Sequence, residues 1–203
     1  MLDGATTVHK KVTQQTMNCI LHARDRGLCL NPVMSTIDPK KDVFKIKGRP
    51  DSNCATNVET RKSASGLEVI LNNVPVAMRS IGQKIIFLSV VEAELIVLAQ
   101  VVQEMLCVIR ILESIGLKVQ KHVIVESDNK GAIDLCNSLK FDGRTKNIDT
   151  RCCFLRELKE EGTVVFQWIS GKSNSTDLLT KNLPNPLFTK HAGRYCTDED
   201  FSA

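Results

Sequence analysis

The chain has 203 residues, of which 42% are hydrophobic, so it can bury one globular core with some appended material. Lysine and arginine number 27 against 23 acidic residues, and this mild basicity fits a nucleic-acid partner without requiring one. Eight cysteines form no CxxC pair, no signal peptide is evident, and the four histidines stand at no ligand spacing from the cysteines. These features argue against a zinc site and favour reduced thiols in an intracellular protein, cytoplasmic or nuclear.

The N-terminal half predicts one helix followed by strands. Hydrophobic spacing predicts a helix over residues 12–23, whereas residues 42–47 alternate as a strand does and further strand regions follow up to residue 88. Asn72-Asn73 separates two such runs and predicts a hairpin turn. Gly48-Arg49-Pro50 predicts a bend between the first strand and Asp51. The predicted strands are residues 42–47, 65–71, 74–78 and 84–88.

The clearest predicted helix covers residues 89–115. Ser89 stands at an N-cap position with Glu92 three residues later, and Gly116 ends the pattern. Its apolar run is interrupted by glutamine, glutamate and arginine, which predicts a buried helix of a globular domain and no membrane span. The later predicted elements are a strand at 122–127, helices at 130–138 and 151–160, a strand at 163–170, and a short helix at 176–181. This order predicts an α/β fold with a mixed sheet.

Glu94 is the acidic residue of the long helix that is expected to face the sheet. Stepping three and four residues from Glu94 meets only apolar side chains, whereas the same steps from Glu92 lead to a face that turns polar. A buried acid is costly unless it is paired or binds a metal. We therefore interpret Glu94 as a functional candidate and Glu92 as a capping or surface acid.

Three aspartates also stand where strands end or helices begin. Asp128 follows an apolar strand, Asp51 follows the first strand, and Asp177 opens the last short helix. Each has an ordinary alternative, because Asp128 and Asp177 are typical of helix starts and Asp51 of a turn. Together with Glu94 they predict a carboxylate cluster at one edge of the sheet. Such a cluster suits two divalent cations about 4 Å apart that act on a phosphodiester, and oxygen ligands favour magnesium over zinc.

Six motifs, in order along residues 41 to 190, resemble a known family, the ribonuclease H module that ends the polyprotein of copia-type retrotransposons. The matches are Asp51-Ser52-Asn53 with residues 60–66, Val74-Pro75-Val76 through Ser89, Val91-Glu92-Ala93-Glu94-Leu95, Asp128-Asn129-Lys130-Gly131-Ala132, residues 144–157, and residues 177–183. Residues 17 to 32 resemble the end of the preceding reverse-transcriptase region. The resemblance implies a reverse-transcriptase remnant at residues 1–40, a ribonuclease H-like domain at 41–184 with a mixed sheet of about five strands flanked by helices, and a C-terminal tail at 185–203.

The resemblance also implies the chemistry. Asp51 would be the metal-bridging carboxylate, and Glu94, Asp128 and Asp177 would complete a site for two Mg²⁺ ions, with Mn²⁺ as a substitute. The implied reaction is endonucleolytic hydrolysis of the RNA strand of an RNA–DNA hybrid. The implied partners are that hybrid and a reverse-transcriptase domain outside this chain. The cationic residues expected at hybrid phosphates, each with a solvated-surface alternative, are Arg61, Lys62, Arg144, Lys146, Arg151 and Lys172.

Other readings stay open at this point. Asn147 and Cys153 stand where the family carries histidines, and no histidine occupies the loop before Asp177. The chain is therefore interpreted as a competent ribonuclease H, as a decayed module that only binds nucleic acid or a partner, or as an α/β regulatory domain whose acids receive a phosphoryl group. Trp168, in the last predicted strand, is expected in the core and not as a platform for base stacking.

Overall fold

The structure is a computed structural model that describes residues 6–22, 42–54, 61–84, 89–137 and 146–195. Its strands, in chain order, are β1 (Val43–Phe44), β2 (Ile46–Asn53), β3 (Ala64–Leu71), β4 (Val74–Gly82), β5 (Lys118–Val119), β6 (Val123–Ser127) and β7 (Val164–Trp168). Its helices are α1 (Thr7–His22), α2 (Val90–Ser114), α3 (Lys130–Asn137), α4 (Lys146–Glu160), α5 (Asp177–Thr180) and α6 (Asn185–Ala192), with a 3-10 helix at Gly171–Ser173.

The main sheet has five strands in the order β4-β3-β2-β6-β7. β2, β3 and β4 are antiparallel neighbours, whereas β6 and β7 run parallel to β2. A two-residue parallel pair of β1 and β5 lies outside this sheet. The predicted mixed sheet of five strands flanked by helices is confirmed. Three consecutive antiparallel strands do not fit the regulatory-domain alternative, in which strands and helices alternate from the start.

β2 corrects one prediction, because it runs through the expected bend and carries Asp51 inside the strand. The antiparallel register with β3 continues across Pro50, opposite Leu67, and on to Asn53. The parallel register with β6 covers only Lys47 and Gly48, so the proline interrupts no pair on that side. Pairing with β3 therefore holds this segment extended despite its turn-like sequence.

The hairpin between β3 and β4 follows the sequence prediction. Asn72 and Asn73 have φ angles of 47° and 74°, the left-handed conformation that a two-residue hairpin loop requires. The Asn72 side chain also accepts a hydrogen bond from the Lys45 backbone N–H at 2.8 Å. β4 extends to Gly82, four residues beyond its predicted end, and residues 85–88 of the next predicted strand lie outside the described residues.

α2 is the central core helix. The Ser89 hydroxyl accepts the Glu92 N–H at 3.2 Å, and Gly116 follows the helix with a φ of 83°, as the capping pattern predicts. The helix is long and apolar enough to cross a membrane by length and composition alone, but its apolar face packs on β2 and β3. Its buried residues are Ala93, Glu94, Leu95, Val97, Leu98, Ala99, Val101, Val102, Met105 and Leu112. Each large apolar member contributes about 1.5–3 kcal/mol by burial.

The C-terminal half follows the predicted order with shifted ends. α3 is capped by Asn129, whose side-chain oxygen accepts the Ala132 N–H at 2.9 Å. α4 begins at Lys146, five residues before its predicted start, and β7 ends at Trp168, two residues before its predicted end. The segment predicted as a tail contains α6, whose His191 is buried.

Candidate metal centre

Three of the four predicted acids meet at one end of the sheet. Asp51, Asp128 and Asp177 each offer one carboxylate oxygen, and these oxygens all lie within 4.8 Å of one another. Asp51 is buried, whereas Asp128 and Asp177 are half-buried and open toward solvent. The cluster is therefore accessible to a small cation from solution.

The parallel pairing of β2 and β6 explains why Asp51 and Asp128 lie side by side at the same end of the sheet. Lys47 pairs with Ile124, and four residues further along each chain stand Asp51 and Asp128. Residues an even number of steps apart on a strand share a face, so Asp51 lies on the same face as Lys47. Strand register thus brings two carboxylates together that are far apart in the sequence.

Asn174 joins the segment that carries the third acid to the other two. This side chain is 0% exposed. Its amide nitrogen donates to the Pro50 carbonyl at 3.1 Å and toward an Asp128 carboxylate oxygen at 3.4 Å. Its side-chain oxygen accepts the Thr176 hydroxyl and the Thr176 N–H. One buried amide therefore contacts the backbone beside Asp51, the side chain of Asp128 and the turn before Asp177.

Two glycines allow the segments to approach this closely. A Cβ added at Gly66, which pairs with Asp51, would lie 2.7 Å from Thr180 Cγ2 and 2.9 Å from Leu179 Cβ. A Cβ added at Gly171 would lie 3.0 Å from Asp128 Oδ2. Gly66 thus requires the smallest residue for α5 to pack on β3, whereas a Cβ at Gly171 would make a tight contact that displaces the Asp128 carboxylate slightly.

Lys181 is a member of the site that the sequence analysis missed. Its ammonium lies 3.0 Å from Asp51 Oδ1 and 2.6 Å from Asp177 Oδ1. Although burial acts to lower the pKa of Lys181, the hydrogen bond to Asp177 and the charge of Asp51 raise it above its usual range. The neighbouring Thr180 hydroxyl donates to Asp51 Oδ2. The spacing of four residues between Asp177 and Lys181 is the sequence signal that could have indicated this contact.

Glu94 lies beside the three aspartates but outside their tight group. It is 5% exposed on α2, and its Oε1 accepts the Ser52 N–H at 3.2 Å and the Ser52 hydroxyl at 2.9 Å. Its Oε2 is buried and has no hydrogen-bond partner among the described residues. Burial, followed by the negative charge of Asp51, raises the pKa of Glu94 to about 7. Glu92, by contrast, is half-buried, as the helix periodicity predicts.

The pKa values of Asp128 and Asp177 are raised even though the Lys181 ammonium lies in the cluster. Burial is the largest effect that raises the pKa of Asp128, and the charge of Asp51 raises it further. Burial also raises the pKa of Asp177, although the Lys181 hydrogen bond opposes that shift. Mutually repelling carboxylates and the unpartnered Glu94 oxygen are what a divalent cation with oxygen ligands would satisfy. The residues present therefore fit a metal ion.

Comparison with known proteins identifies retrotransposon relatives of the chain. No family model matches it. A retrovirus-related Pol polyprotein from transposon TNT 1-94 of Nicotiana tabacum is 34% identical over 143 residues, which cover 70% of this chain and 11% of that protein. The Pol polyprotein of transposon RE1 from Arabidopsis thaliana is 26% identical over 155 residues, which cover 76% of this chain and 11% of that protein. The homologues of this chain are copia-type retrotransposon Pol polyproteins. The chain spans about a tenth of the length of the curated relatives it matches.

Solved structures similar to this chain include two ribonuclease H domains. The N-terminal RNase H domain of a Mycobacterium tuberculosis protein has a TM-score of 0.48 at 12% identity, over 73% of this chain and 96% of that chain. LC11-RNase H1, solved in complex with an RNA/DNA hybrid, has a TM-score of 0.47 at 17% identity, over 67% of this chain and 94% of that chain.

The cationic residues that are predicted to contact the hybrid lie in separate parts of the structure. Lys172 is exposed in the 3-10 helix, next to Gly171 and thus beside Asp128. Arg61 and Lys62 are exposed just before β3, and Arg151 is half-buried on α4. Arg144 lies outside the described residues, and only the backbone of Lys146 is described. Among the predicted cations, Lys172 is the one whose sequence neighbour, Gly171, abuts Asp128.

Trp168 contradicts its predicted place in the core, because the residue is 53% exposed. The alternation of β7 buries Val164 and Phe166, and Trp168 shares their parity. The strand lies at the edge of the sheet and ends at Trp168, so the indole projects past the packed layer. Its N–H donates to the Asp128 carbonyl at 3.1 Å, which fixes the ring beside the acidic cluster.

Proposed function

We propose that the chain is the ribonuclease H module of a retrotransposon polyprotein, which hydrolyses the RNA strand of RNA–DNA hybrids with the help of Mg²⁺. The observation that carries this proposal is the convergence of the Asp51, Asp128 and Asp177 carboxylates within 4.8 Å. The relationship to retrotransposon Pol polyproteins supports it, because the motifs that hold these acids are the ones that resemble the family. We further propose that the module acts inside the cell, together with a reverse-transcriptase domain outside this chain.

Four carboxylates would hold the metal. Asp51, Asp128 and Asp177 supply the converging oxygens, and Oε2 of Glu94 is a buried atom without a hydrogen-bond partner in the described part of the chain. Hard oxygen ligands favour Mg²⁺, with Mn²⁺ as a substitute, and we propose two ions in keeping with the four acids. When bound, such ions polarise the phosphodiester and promote attack by water.

The remaining side chains keep the carboxylates in place. Ser52 holds one oxygen of Glu94 through two hydrogen bonds, which leaves the other oxygen for the metal. Asn174 fixes the Asp128 carboxylate relative to β2. The Lys181 ammonium neutralises part of the negative charge before substrate binds, and in the complex it is placed to donate to a phosphate oxygen instead.

A decayed module that binds nucleic acid without cutting it is the second candidate. The observation that favours it is Lys181, since its ammonium already pairs with two of the three clustered aspartates. In that case the lysine would hold the acids permanently, and the fold would persist without a metal. The two candidates differ in one measurable property, which is cleavage of the hybrid.

The test is cleavage of a labelled RNA–DNA hybrid by the purified chain with Mg²⁺. We expect cleavage of the RNA strand by the wild type and a loss of at least about a hundredfold in Asp51→Asn and in Asp128→Asn. Asp134→Asn is the matched control, because Asp134 is an exposed aspartate on α3, and this variant should cut like the wild type. Cleavage that survives Asp51→Asn would assign the activity to a contaminant. Absence of cleavage in a folded wild type would leave the binding module as the function.

A further inference from the structure

The single tryptophan of the chain lies exposed at the edge of the metal centre. A large aromatic side chain of a globular domain is ordinarily buried, and an exposed one beside a functional site needs a reason. The hydrogen bond to the Asp128 carbonyl explains the orientation of the indole. It does not explain why more than half of the residue faces solvent.

One cationic side chain lies over the exposed ring, and two further lysines lie on the 3-10 helix and on α6. The Lys130 ammonium lies 5.6 Å from the ring centroid, within the range of a cation–π contact. Lys172 is exposed next to Gly171, which abuts Asp128. The Lys190 ammonium donates to the Lys172 carbonyl at 2.7 Å and adds a third positive charge. The surface formed by Trp168, Lys130 and Lys172, here called the Trp168 surface, is therefore aromatic and cationic.

All three residues of this surface are connected to Asp128 through the backbone or through a neighbouring residue. Lys130 follows Asp128 by two residues, Trp168 bonds its carbonyl, and Lys172 adjoins the glycine that packs on its side chain. The Trp168 surface is thus adjacent to the acidic cluster on the side of Asp128. A ligand whose phosphate reaches the acids would place its neighbouring sugar and phosphate on this surface.

We propose that the Trp168 surface binds the nucleic-acid backbone next to the phosphodiester at the metal centre. The indole packs against a sugar or an exposed base edge, and Lys130 and Lys172 contact flanking phosphates. This inference rests on the proposed function for its substrate, an RNA–DNA hybrid. It adds Trp168 and Lys130, which the sequence analysis did not assign to the hybrid, to the previously expected Lys172. The alternation of aromatic and cationic groups fits a phosphate backbone better than an apolar protein partner, which would leave the ammonium groups unpaired.

Because Trp168 is the only tryptophan in the sequence, its emission reports on this surface directly. The experiment titrates the full chain with an RNA–DNA hybrid in EDTA, so that no strand is cut, and follows tryptophan fluorescence. Binding is measured independently by the anisotropy of a fluorescein label on the hybrid. The variants are Trp168→Phe, Trp168→Ala and Lys130→Gln. The controls are Phe188→Ala, an exposed aromatic on α6, and Lys118→Gln, an exposed lysine on β5. β5 precedes β6 in the chain, whereas Asp128 follows the C-terminal end of β6.

We expect the emission to change with the same midpoint as the anisotropy. Trp168→Ala should weaken binding fivefold or more, Trp168→Phe should lose less affinity because the ring remains, and the two controls should bind like the wild type. A melting temperature for each variant separates lost contacts from lost folding. Binding by anisotropy with unchanged tryptophan emission would overturn the inference, even if the hybrid is cleaved with Mg²⁺. Emission change and Trp168-dependent binding without cleavage would support the inference and overturn the proposed nuclease. A chain that binds no hybrid but captures a protein partner through Trp168 would overturn it.

Discussion

The Lys181 ammonium lies 2.6 Å from Asp177 Oδ1, and the same nitrogen lies 3.0 Å from Asp51 Oδ1. A positive charge thus stands between two of the three clustered aspartates. The position of this lysine follows from α5, because a residue four places after Asp177 returns to the same side of the helix. A bound metal must therefore compete with the ammonium for the two carboxylates.

Replacement of Lys181 is predicted to strengthen metal binding and weaken the metal-free fold. Lys181→Gln removes the competing charge, so the affinity for Mn²⁺ should rise roughly three- to tenfold, or by about 1 kcal/mol. Without metal, the repulsion between Asp51 and Asp177 is no longer relieved, and the melting temperature should fall. Calorimetric titration and thermal unfolding measure the two effects. Lys118→Gln serves as the control, and unchanged Mn²⁺ affinity in Lys181→Gln would argue against the competition.

Glu94 is predicted to make the metal-free protein less stable at higher pH. Its pKa is about 7 in the folded chain and 4.5 for an unperturbed glutamate, so between these values the folded state binds more protons than the unfolded state. The contribution of Glu94 to the free energy of unfolding therefore falls as the pH rises through this window, by no more than about 3 kcal/mol.

Denaturant unfolding in EDTA at pH 5 and pH 8 checks this prediction. The difference between the two pH values should be smaller in Glu94→Gln than in the wild type, and Glu92→Gln should behave like the wild type. Addition of Mg²⁺ should also reduce the difference, because it favours the ionised carboxylate. If the free energy of unfolding depended on pH in the same way in the wild type and in Glu94→Gln, the burial of Glu94 would not be the cause of that pH dependence.

Gly66 is predicted to be intolerant of alanine. The added Cβ would overlap Thr180 and Leu179, so α5 would have to move away from β3, at a cost of about 1–3 kcal/mol in the free energy of unfolding. Because α5 carries Asp177, Mn²⁺ affinity should fall as well. Gly82→Ala is the matched control, since a Cβ added at Gly82 meets nothing within 4 Å. Equal stability of the two variants by urea unfolding would show that α5 does not pack on Gly66 in solution.

Much of the fold and part of the site were predictable because their causes are local or periodic. The caps at Ser89 and Asn129, the hairpin at Asn72-Asn73 and the burial of Glu94 all follow from residue type and spacing over a few positions. The sheet-facing stripe of α2 has a clear period, so the sequence alone distinguishes Glu94 from Glu92.

Other features depend on contacts between distant segments, and these the sequence did not reveal. Gly48-Arg49-Pro50 has the composition of a turn, but pairing with β3 keeps it extended. Trp168 has the alternation of a buried residue, but it is the last residue of β7 at the sheet edge and is exposed there. Lys181 belongs to the motif at residues 177–183, but its contact with Asp51 depends on the packing of α5 on β2 and β3.

The central claim, that these carboxylates hold divalent cations, is tested most directly by the anomalous diffraction of crystals grown with Mn²⁺. We predict Mn²⁺ peaks about 2.0–2.2 Å from carboxylate oxygens of Asp51 and Asp128, at least one of them also bound by Asp177 or Glu94, with the Lys181 ammonium displaced. Crystals that contain Mn²⁺ at saturating concentration, show no peak among these acids and keep Lys181 bonded to Asp51 and Asp177 would contradict the account.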